Sequence, residues 1–198
     1  MIIWINGAWG AGKTTVATEL QKRVSNSLIF DPELAGSYLN QVLPKTYQAD
    51  DFQTFREWRQ INFLMLKKLT EIHNGLIIVP MTLINENYID EILGELRESG
   101  IQIDHYLLEV NEKELNKRLN KRLEYGNSWA RQRIQLAITE LDRLNDIDVI
   151  NTNHLSVDEV VEIIGTRSQL SLKKETRSLM KRQASRFWLS LKEKINLP

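Results

Sequence analysis

The chain has 198 residues, 42% of them hydrophobic and 26% charged, and its 26 Lys and Arg balance its 26 Asp and Glu. This length predicts one domain, and the composition excludes a disordered chain, a collagen-like chain and a polytopic membrane protein. The zero net charge argues against general nucleic-acid binding, and the absence of cysteine excludes disulfides and cysteine-ligated metal sites.

Short apolar runs alternate with helical patterns from the first residue onward. Five runs predict strands, at 1–6, 27–30, 76–81, 103–110 and 149–151. Helical spacing and capping residues predict helices that open at Lys13 and cover 34–43, 52–72, 88–99, 112–123 after the cap Asn111, 129–143 and 157–164, the last ended by Gly165. This alternation predicts the α/β class, with a five-stranded parallel sheet covered by helices on both faces.

The segment between the first strand and the first helix fits the phosphate-binding pattern G-x-x-x-x-G-K-[ST]. Its glycines allow main-chain N–H groups to approach a triphosphate, and the start of a helix adds its dipole. Lys13 is predicted to reach the β- and γ-phosphates, and the Thr14 hydroxyl to coordinate Mg²⁺. The predicted ATP-binding residues are Gly7, Ala8, Trp9, Gly10, Ala11, Gly12, Lys13, Thr14 and Thr15.

A small kinase-like P-loop NTPase, with sheet order 2-3-1-4-5, fits this chain best. The sequence lacks the Asn-Lys-x-Asp motif of GTPases and is short for a motor or large AAA-type ATPase. Asp31, at the tip of the second strand, is the candidate base for an acceptor hydroxyl, and its alternative role is an Asx turn before Pro32. The third strand ends Val79-Pro80-Met81-Thr82, without the carboxylate that often holds Mg²⁺.

Cations cluster after the fourth strand, where small kinases place their lid. We predict a lid around 117–133, with Arg118, Arg122 and Arg131 as catalytic charge stabilisers. The alternative is a solvated helix face.

A second polar group follows the second strand, where such kinases bind the acceptor. The candidate substrate residues are Asp50, Asp51, Arg56 and Arg59. Their alternatives are an acidic helix start and an exposed helix face. Asn151–Asn153, after the fifth strand, lies where the adenine ring usually rests.

The two ends of the chain differ in charge. Residues 166–198 hold nine Lys or Arg and two acidic residues, a net charge of +7, so residues 1–165 carry −7. We therefore divide the chain into a kinase-like domain, 1–165, and a basic amphipathic helical extension, 166–198. The extension is expected to pack on the acidic body, and residues 173–194 are also a candidate for peripheral contact with an anionic membrane.

Several segments resemble the tunicamycin resistance protein family. They are 1–8 leading into the P-loop, Asp31-Pro32-Glu33, Asp50-Asp51-Phe52-Gln53 with Trp58-Arg59, Ile78-Val79-Pro80-Met81-Thr82 and Asn127-Ser128-Trp129-Ala130. The resemblance spans about residues 1–165. It implies a P-loop kinase-like domain and ATP-dependent resistance to a nucleoside antibiotic, at or near the cytoplasmic face of the bacterial membrane.

The predicted function is binding of ATP and Mg²⁺ with transfer of the γ-phosphoryl group to a hydroxyl of tunicamycin or a similar small molecule. The alternative is an ATP-dependent protein that sequesters the drug without phosphorylating it. A third hypothesis is a nucleotide-dependent nucleic-acid enzyme, and the acidic charge of the body argues against it. Because no apolar run approaches the length of a membrane span and the N-terminus lacks a signal-peptide pattern, we expect a cytoplasmic protein, peripheral at most to the inner face of the membrane.

Overall fold

The sheet is the framework of the molecule. The computed structural model describes residues 1–121 and 129–195. Its five strands are β1 (Ile2–Asn6), β2 (Ser27–Ile29), β3 (Leu76–Pro80), β4 (Ile103–Glu109) and β5 (Asp148–Asn151). All neighbours are parallel, in the order β2-β3-β1-β4-β5. The predicted class, strand positions and strand order are confirmed.

Two apolar cores lie on opposite faces of this sheet. The helices are α1 (Lys13–Arg23), α2 (Glu33–Val42), α3 (Arg56–Ile72), α4 (Glu86–Ile89), α5 (Glu95–Glu98), α6 (Glu112–Lys121), α7 (Trp129–Gln132), α8 (Ile134–Leu141), α9 (Val157–Arg167) and α10 (Leu179–Ile195). Successive side chains of β1 point to opposite faces. Ile3 and Ile5 pack with α1, α6, α8 and α9, whereas Ile2 and Trp4 pack with α3 and α5. Central β1 is therefore buried over its whole length.

Some helices differ from the predictions because the backbone departs locally from α-helical geometry. The helix predicted over 52–72 is a 3₁₀ turn at Phe52–Thr54 followed by α3, because Phe55 between them has an extended backbone with φ −71° and ψ 123°. The Asp51 side chain caps the start of the turn by accepting from the Gln53 N–H. The helix predicted over 129–143 is divided at Arg133. The helix predicted over 88–99 begins two residues earlier and contains a π-helical turn at Asp90–Gly94.

Gly165 does not end the last helix of the body, as predicted, because α9 continues through it to Arg167. A Cβ on Gly165 would lie 2.4 Å from Cδ1 of Leu172. The glycine therefore allows the extension to approach α9 closely. The predicted boundary at residue 165 falls inside this helix.

The extension packs on the body through ion pairs. Arg177 contacts Glu175 and Glu19, whose side chain is 3% exposed. Nη2 of Arg186 lies 2.8 Å from Oδ1 of Asp158. This packing agrees with the opposite charges of the two parts of the chain.

The predicted membrane contact of 173–194 stays a prediction. Met180 and Trp188 of α10 are 81% and 73% exposed. Among the described residues, no helix combines the length and the apolar character needed to cross a membrane.

Candidate active site

The P-loop connects the buried end of β1 to the start of α1. Gly7, Gly10 and Gly12 have φ angles of 149°, 88° and 98°, which L side chains rarely adopt. At Gly7 a Cβ would also lie 3.0 Å from the Leu108 carbonyl oxygen and from Cβ of Ala11. The three glycines are therefore required by the backbone path that brings the loop against the sheet.

Lys13, the first residue of α1, has its ammonium group at the loop. Nζ donates to the carbonyl oxygens of Gly7 at 3.1 Å and Ala8 at 3.2 Å. Thr14 and Thr15 follow in the first turn and are half-buried, and half-buried Trp9 packs against the core. The structure thus brings the predicted ATP-binding residues together in one loop, and their individual roles stay predictions.

Two residues that the sequence analysis did not select hold the beginning of this loop. Oδ1 of Asn6 accepts from the N–H of Gly7 at 2.8 Å, and the Thr82 hydroxyl donates to the Gly7 carbonyl at 2.8 Å. Thr82 lies two residues after β3, at the strand end where many P-loop proteins carry a metal-binding carboxylate. The polar residue at this strand end is the sequence feature that indicates a contact with the P-loop.

Asn6 is buried with every polar position of its amide in use. Oδ1 also accepts from the Leu83 N–H at 3.0 Å, while Nδ2 donates to the Leu83 carbonyl at 2.7 Å and lies 3.2 Å from Nε2 of His105. Burial, with a smaller contribution from the charge of Arg97, lowers the pKa of His105 to about 3. The imidazole is therefore neutral near pH 7, and its Nε2 can accept from Asn6.

Asp31 follows β2 at the carboxyl edge of the sheet, as predicted. Oδ1 accepts from the Glu33 N–H at 3.0 Å, so the predicted turn is present. The indole N–H of Trp58 donates to the Pro32 carbonyl at 2.9 Å and fixes the turn against α3. Since an ionised carboxylate accepts several hydrogen bonds, the turn and the proposed base role are compatible.

Arg118 bridges the P-loop and the segment after β5. It donates to the carbonyl oxygens of Ala11 at 3.1 Å and Thr152 at 2.8 Å, and Nε lies 3.2 Å from Glu114. Thr152 belongs to the segment predicted to lie near adenine. The charge of Arg118 is therefore fixed beside the loop.

The other two predicted lid cations differ from Arg118. Arg131 donates from α7 to Oδ1 of Asn116 at 2.7 Å and of Asn120 at 2.5 Å, both on α6. Arg122 lies outside the described residues. The proposed charge-stabilising roles stay predictions.

The four predicted acceptor residues differ in burial and in their contacts. Asp51 is half-buried and lies 2.9 Å from Arg133. Arg59 is buried, with Nε 2.6 Å from Glu91 and Nη1 2.7 Å from the Gln53 carbonyl. Both thus flank the 3₁₀ turn, whereas Asp50 and Arg56 are exposed, and their predicted contact with an acceptor stays a prediction.

Two oxygen donors suited to Mg²⁺ lie at the carboxyl edge of the sheet, one in the first turn of α1 and one after β2. The Thr14 hydroxyl and the Asp31 carboxylate are hard ligands, and Mg²⁺ in such sites is commonly completed by phosphate oxygens and water. Within residues 1–121 and 129–195, one group of three acidic side chains has ligand spacing: Glu19, Asp158 and Glu175. Because arginines of the extension neutralise it, this group is an ion-pair cluster and not the predicted metal site.

A cavity of about 440 Å³ lies at the other end of the sheet. Residues at the amino ends of β4 and β5, together with Arg97 and Arg167, line it. Parallel strands place this edge opposite the P-loop, so the cavity is separate from the candidate active site.

The comparisons with known proteins agree with this geometry. A family model described as "AAA domain" matches residues 2–144. The chain belongs to this family. No curated protein gives a significant match.

Solved structures place the same fold among small kinases. The tunicamycin resistance protein of Deinococcus radiodurans is similar at a TM-score of 0.75 and 26% identity, covering 88% of this chain and 98% of that chain. A sugar kinase from a Janibacter species gives 0.59 and 17%, covering 86% and 95%. An APS kinase of Mycobacterium tuberculosis, in complex with AMPPNP and APS, gives 0.54 and 16%, covering 85% and 96%. The predicted resemblance is confirmed, and the chain has a nucleotide-binding, kinase-like P-loop fold.

Proposed function

We propose that the chain binds ATP and Mg²⁺ and transfers the γ-phosphoryl group to a hydroxyl of a small molecule, with tunicamycin or a similar nucleoside antibiotic as the acceptor. The observation that carries this proposal is that the P-loop and Asp31 emerge at the same carboxyl edge of the sheet, after β1 and β2. Ligands of open parallel sheets bind at that edge. The likeness to the tunicamycin resistance protein supports the acceptor class.

Each residue has a defined part in this reaction. Lys13 holds the β- and γ-phosphates, and Arg118, already fixed against the loop, places its charge beside the nucleotide. Thr14 would hold Mg²⁺, which would supply charge neutralisation at the phosphates when bound. Asp31 accepts the proton of the acceptor hydroxyl while the oxygen of that hydroxyl bonds to the γ-phosphorus. The bond between the γ-phosphorus and the β-phosphate oxygen breaks, and ADP is released.

One observation favours the alternative of drug sequestration. Thr82, and not a carboxylate, follows β3, and its hydroxyl is engaged with the P-loop main chain. A site with fewer metal-binding carboxylates would turn over ATP slowly while still binding it. Closure over a bound drug would then be the function of ATP.

Mass spectrometry of tunicamycin incubated with the protein, ATP and Mg²⁺ distinguishes the two functions. We expect the drug to gain one phosphate with the wild-type chain and to remain unmodified with Lys13→Ala. Tunicamycin that binds in the presence of ATP but never gains a phosphate would establish sequestration and contradict transfer. Tunicamycin that neither binds nor is modified would contradict this acceptor class.

A further inference from the structure

The carbonyl oxygen of Gly7 is the acceptor on which the beginning of the P-loop depends. Two side chains donate to it: the hydroxyl of Thr82 at 2.8 Å and the ammonium group of Lys13 at 3.1 Å. Gly7 is buried, and Thr82 is 2% exposed. A buried carbonyl that loses all its donors is costly, so at least one of these two must remain in every state of the site.

The two donors differ in what nucleotide binding demands of them. Lys13 is the residue whose ammonium group binds the β- and γ-phosphates in a loop of this kind, so it has to turn from the carbonyl toward the phosphates. Thr82 has no such task. Its main chain is also held by hydrogen bonds. The Thr82 carbonyl accepts from Nε2 of Gln53 at 3.0 Å, and the next residue, Leu83, makes two hydrogen bonds with the side chain of Asn6.

We propose that Thr82 is a positioning residue of the nucleotide site, whose hydroxyl keeps the Gly7 carbonyl paired when Lys13 transfers its hydrogen bonds to the phosphates. This inference rests on the proposed binding of ATP. It also gives a chemical reason for the absence of a carboxylate after β3. An ionised carboxylate accepts hydrogen bonds and cannot donate one to a carbonyl, whereas a hydroxyl can.

Asn6 completes the arrangement from the other side of Gly7. Its Oδ1 accepts from the Gly7 N–H, so both main-chain polar groups of this glycine are held by fixed, buried side chains. The loop therefore begins from a preset orientation. Lys13 is left to exchange partners without disturbing that orientation.

Removal of the hydroxyl has an effect that depends on the ligand. In the free protein, Thr82→Val leaves Lys13 as a donor to Gly7, so the fold loses little stability. In the nucleotide-bound protein, neither donor would remain on the carbonyl. We expect the affinity for ATP to fall about 5- to 100-fold, the effect of one unpaired buried carbonyl. Thr82→Ser, which keeps the hydroxyl, should restore most of the affinity.

Calorimetric titration of the full chain with ATP and Mg²⁺, with urea unfolding of each free variant, tests the proposal. Thr70→Val is a matched control, because the Thr70 hydroxyl also donates to a backbone carbonyl, that of Lys67 at 2.8 Å, on the exposed side of α3. Its ATP affinity should equal that of the wild type.

Three results would overturn the inference. One is wild-type affinity in Thr82→Val, and another is an equal loss of affinity in Thr82→Ser, which would show that the hydroxyl is not responsible. Both would leave the proposed function intact. Failure of the wild-type chain to bind ATP would contradict the proposed function and this inference with it.

Discussion

Arg133 donates a hydrogen bond from Nη1 to Oδ2 of Asp51 at 2.9 Å, across 82 positions of sequence. The pair joins the start of α8 to the 3₁₀ turn at Phe52–Thr54, so the end of the predicted lid is tied to the predicted acceptor segment. Both side chains are about one quarter exposed, 27% for Arg133 and 23% for Asp51. An ion pair of this exposure stabilises the arrangement by about 1 kcal/mol.

Arg133→Ala should therefore loosen the turn selectively. We expect the backbone N–H groups of residues 52–55 to exchange with solvent about fivefold faster, because 1 kcal/mol corresponds to that factor. Hydrogen exchange read by mass spectrometry measures it. Arg143→Ala, which removes an exposed pair with Glu140 within one turn of chain, is the control and should leave these residues unchanged. Unchanged exchange in both variants would show that the pair does not order the acceptor segment.

Asp31→Asn tests the proposed base without disturbing the turn. Asparagine retains the Oδ1 that accepts from Glu33, but it cannot take the proton of an acceptor hydroxyl. We expect phosphoryl transfer to fall by about 10²–10⁴-fold with ATP affinity retained. Glu33→Gln, an exposed carboxylate two residues away, should retain transfer. Wild-type transfer by Asp31→Asn would leave Asp31 as a turn residue only.

We predict that the ion pairs of Arg177 stabilise the packing of the extension on the body. It pairs with Glu19, whose side chain is 3% exposed and also lies 2.9 Å from Nζ of Lys22 and 3.8 Å from Nη2 of Arg186. Arg177→Ala should lower the free energy of unfolding by about 1–3 kcal/mol, because a buried carboxylate loses a charged hydrogen bond. Urea unfolding measures this loss. Arg167→Ala, which breaks the more exposed pair with Asp148, should cost less than about 1 kcal/mol.

The same cluster predicts a sensitivity to acid. The hydrogen bond from Arg177 lowers the pKa of Glu175 to about 2, below its ordinary value of 4.5. Because the folded-state pKa is depressed, this contribution is complete above pH 4.5 and is lost as the pH falls toward 2. The stability of Arg177→Ala should therefore decline less steeply than that of the wild type between pH 4.5 and 2. Parallel declines would contradict the assignment.

The buried His105 side chain predicts a second dependence of stability on pH, at a higher pH than that of Glu175. Burial lowers its pKa from 6.5 to about 3, so the unfolded chain takes up a proton before the folded chain does. Stability should fall as the pH drops from 6.5 toward 3, by at most about 1.4 kcal/mol per pH unit from this group. His105→Gln keeps an acceptor for Asn6 and removes the titration, so its unfolding free energy should depend less on pH in that range. An unchanged dependence would contradict a buried neutral imidazole.

The sequence predicted the features of the fold that depend on local pattern. Continuous apolar runs such as Leu76–Pro80 identify buried strands, and the P-loop pattern between β1 and α1 identifies the phosphate-binding turn. The Thr82–Gly7 hydrogen bond could not be predicted, because it joins residues 75 positions apart. The local pattern predicts a helix end at Gly165, whereas tertiary packing against Leu172 is the reason for the glycine. Contacts between distant segments thus carry the information that the local pattern lacks.

Calorimetric titration of the wild-type chain and of Lys13→Ala with ATP and Mg²⁺ tests the central claim most directly. Both proteins should be folded, because the Gly7 carbonyl, which accepts from Lys13, keeps the Thr82 hydroxyl as a donor in Lys13→Ala. We expect the wild type to bind ATP and Lys13→Ala to lose measurable binding, while Lys67→Ala, an exposed lysine of α3, binds as the wild type does. Equal ATP binding by a folded Lys13→Ala protein, or none by the wild type, would contradict the assignment of this loop as the nucleotide site.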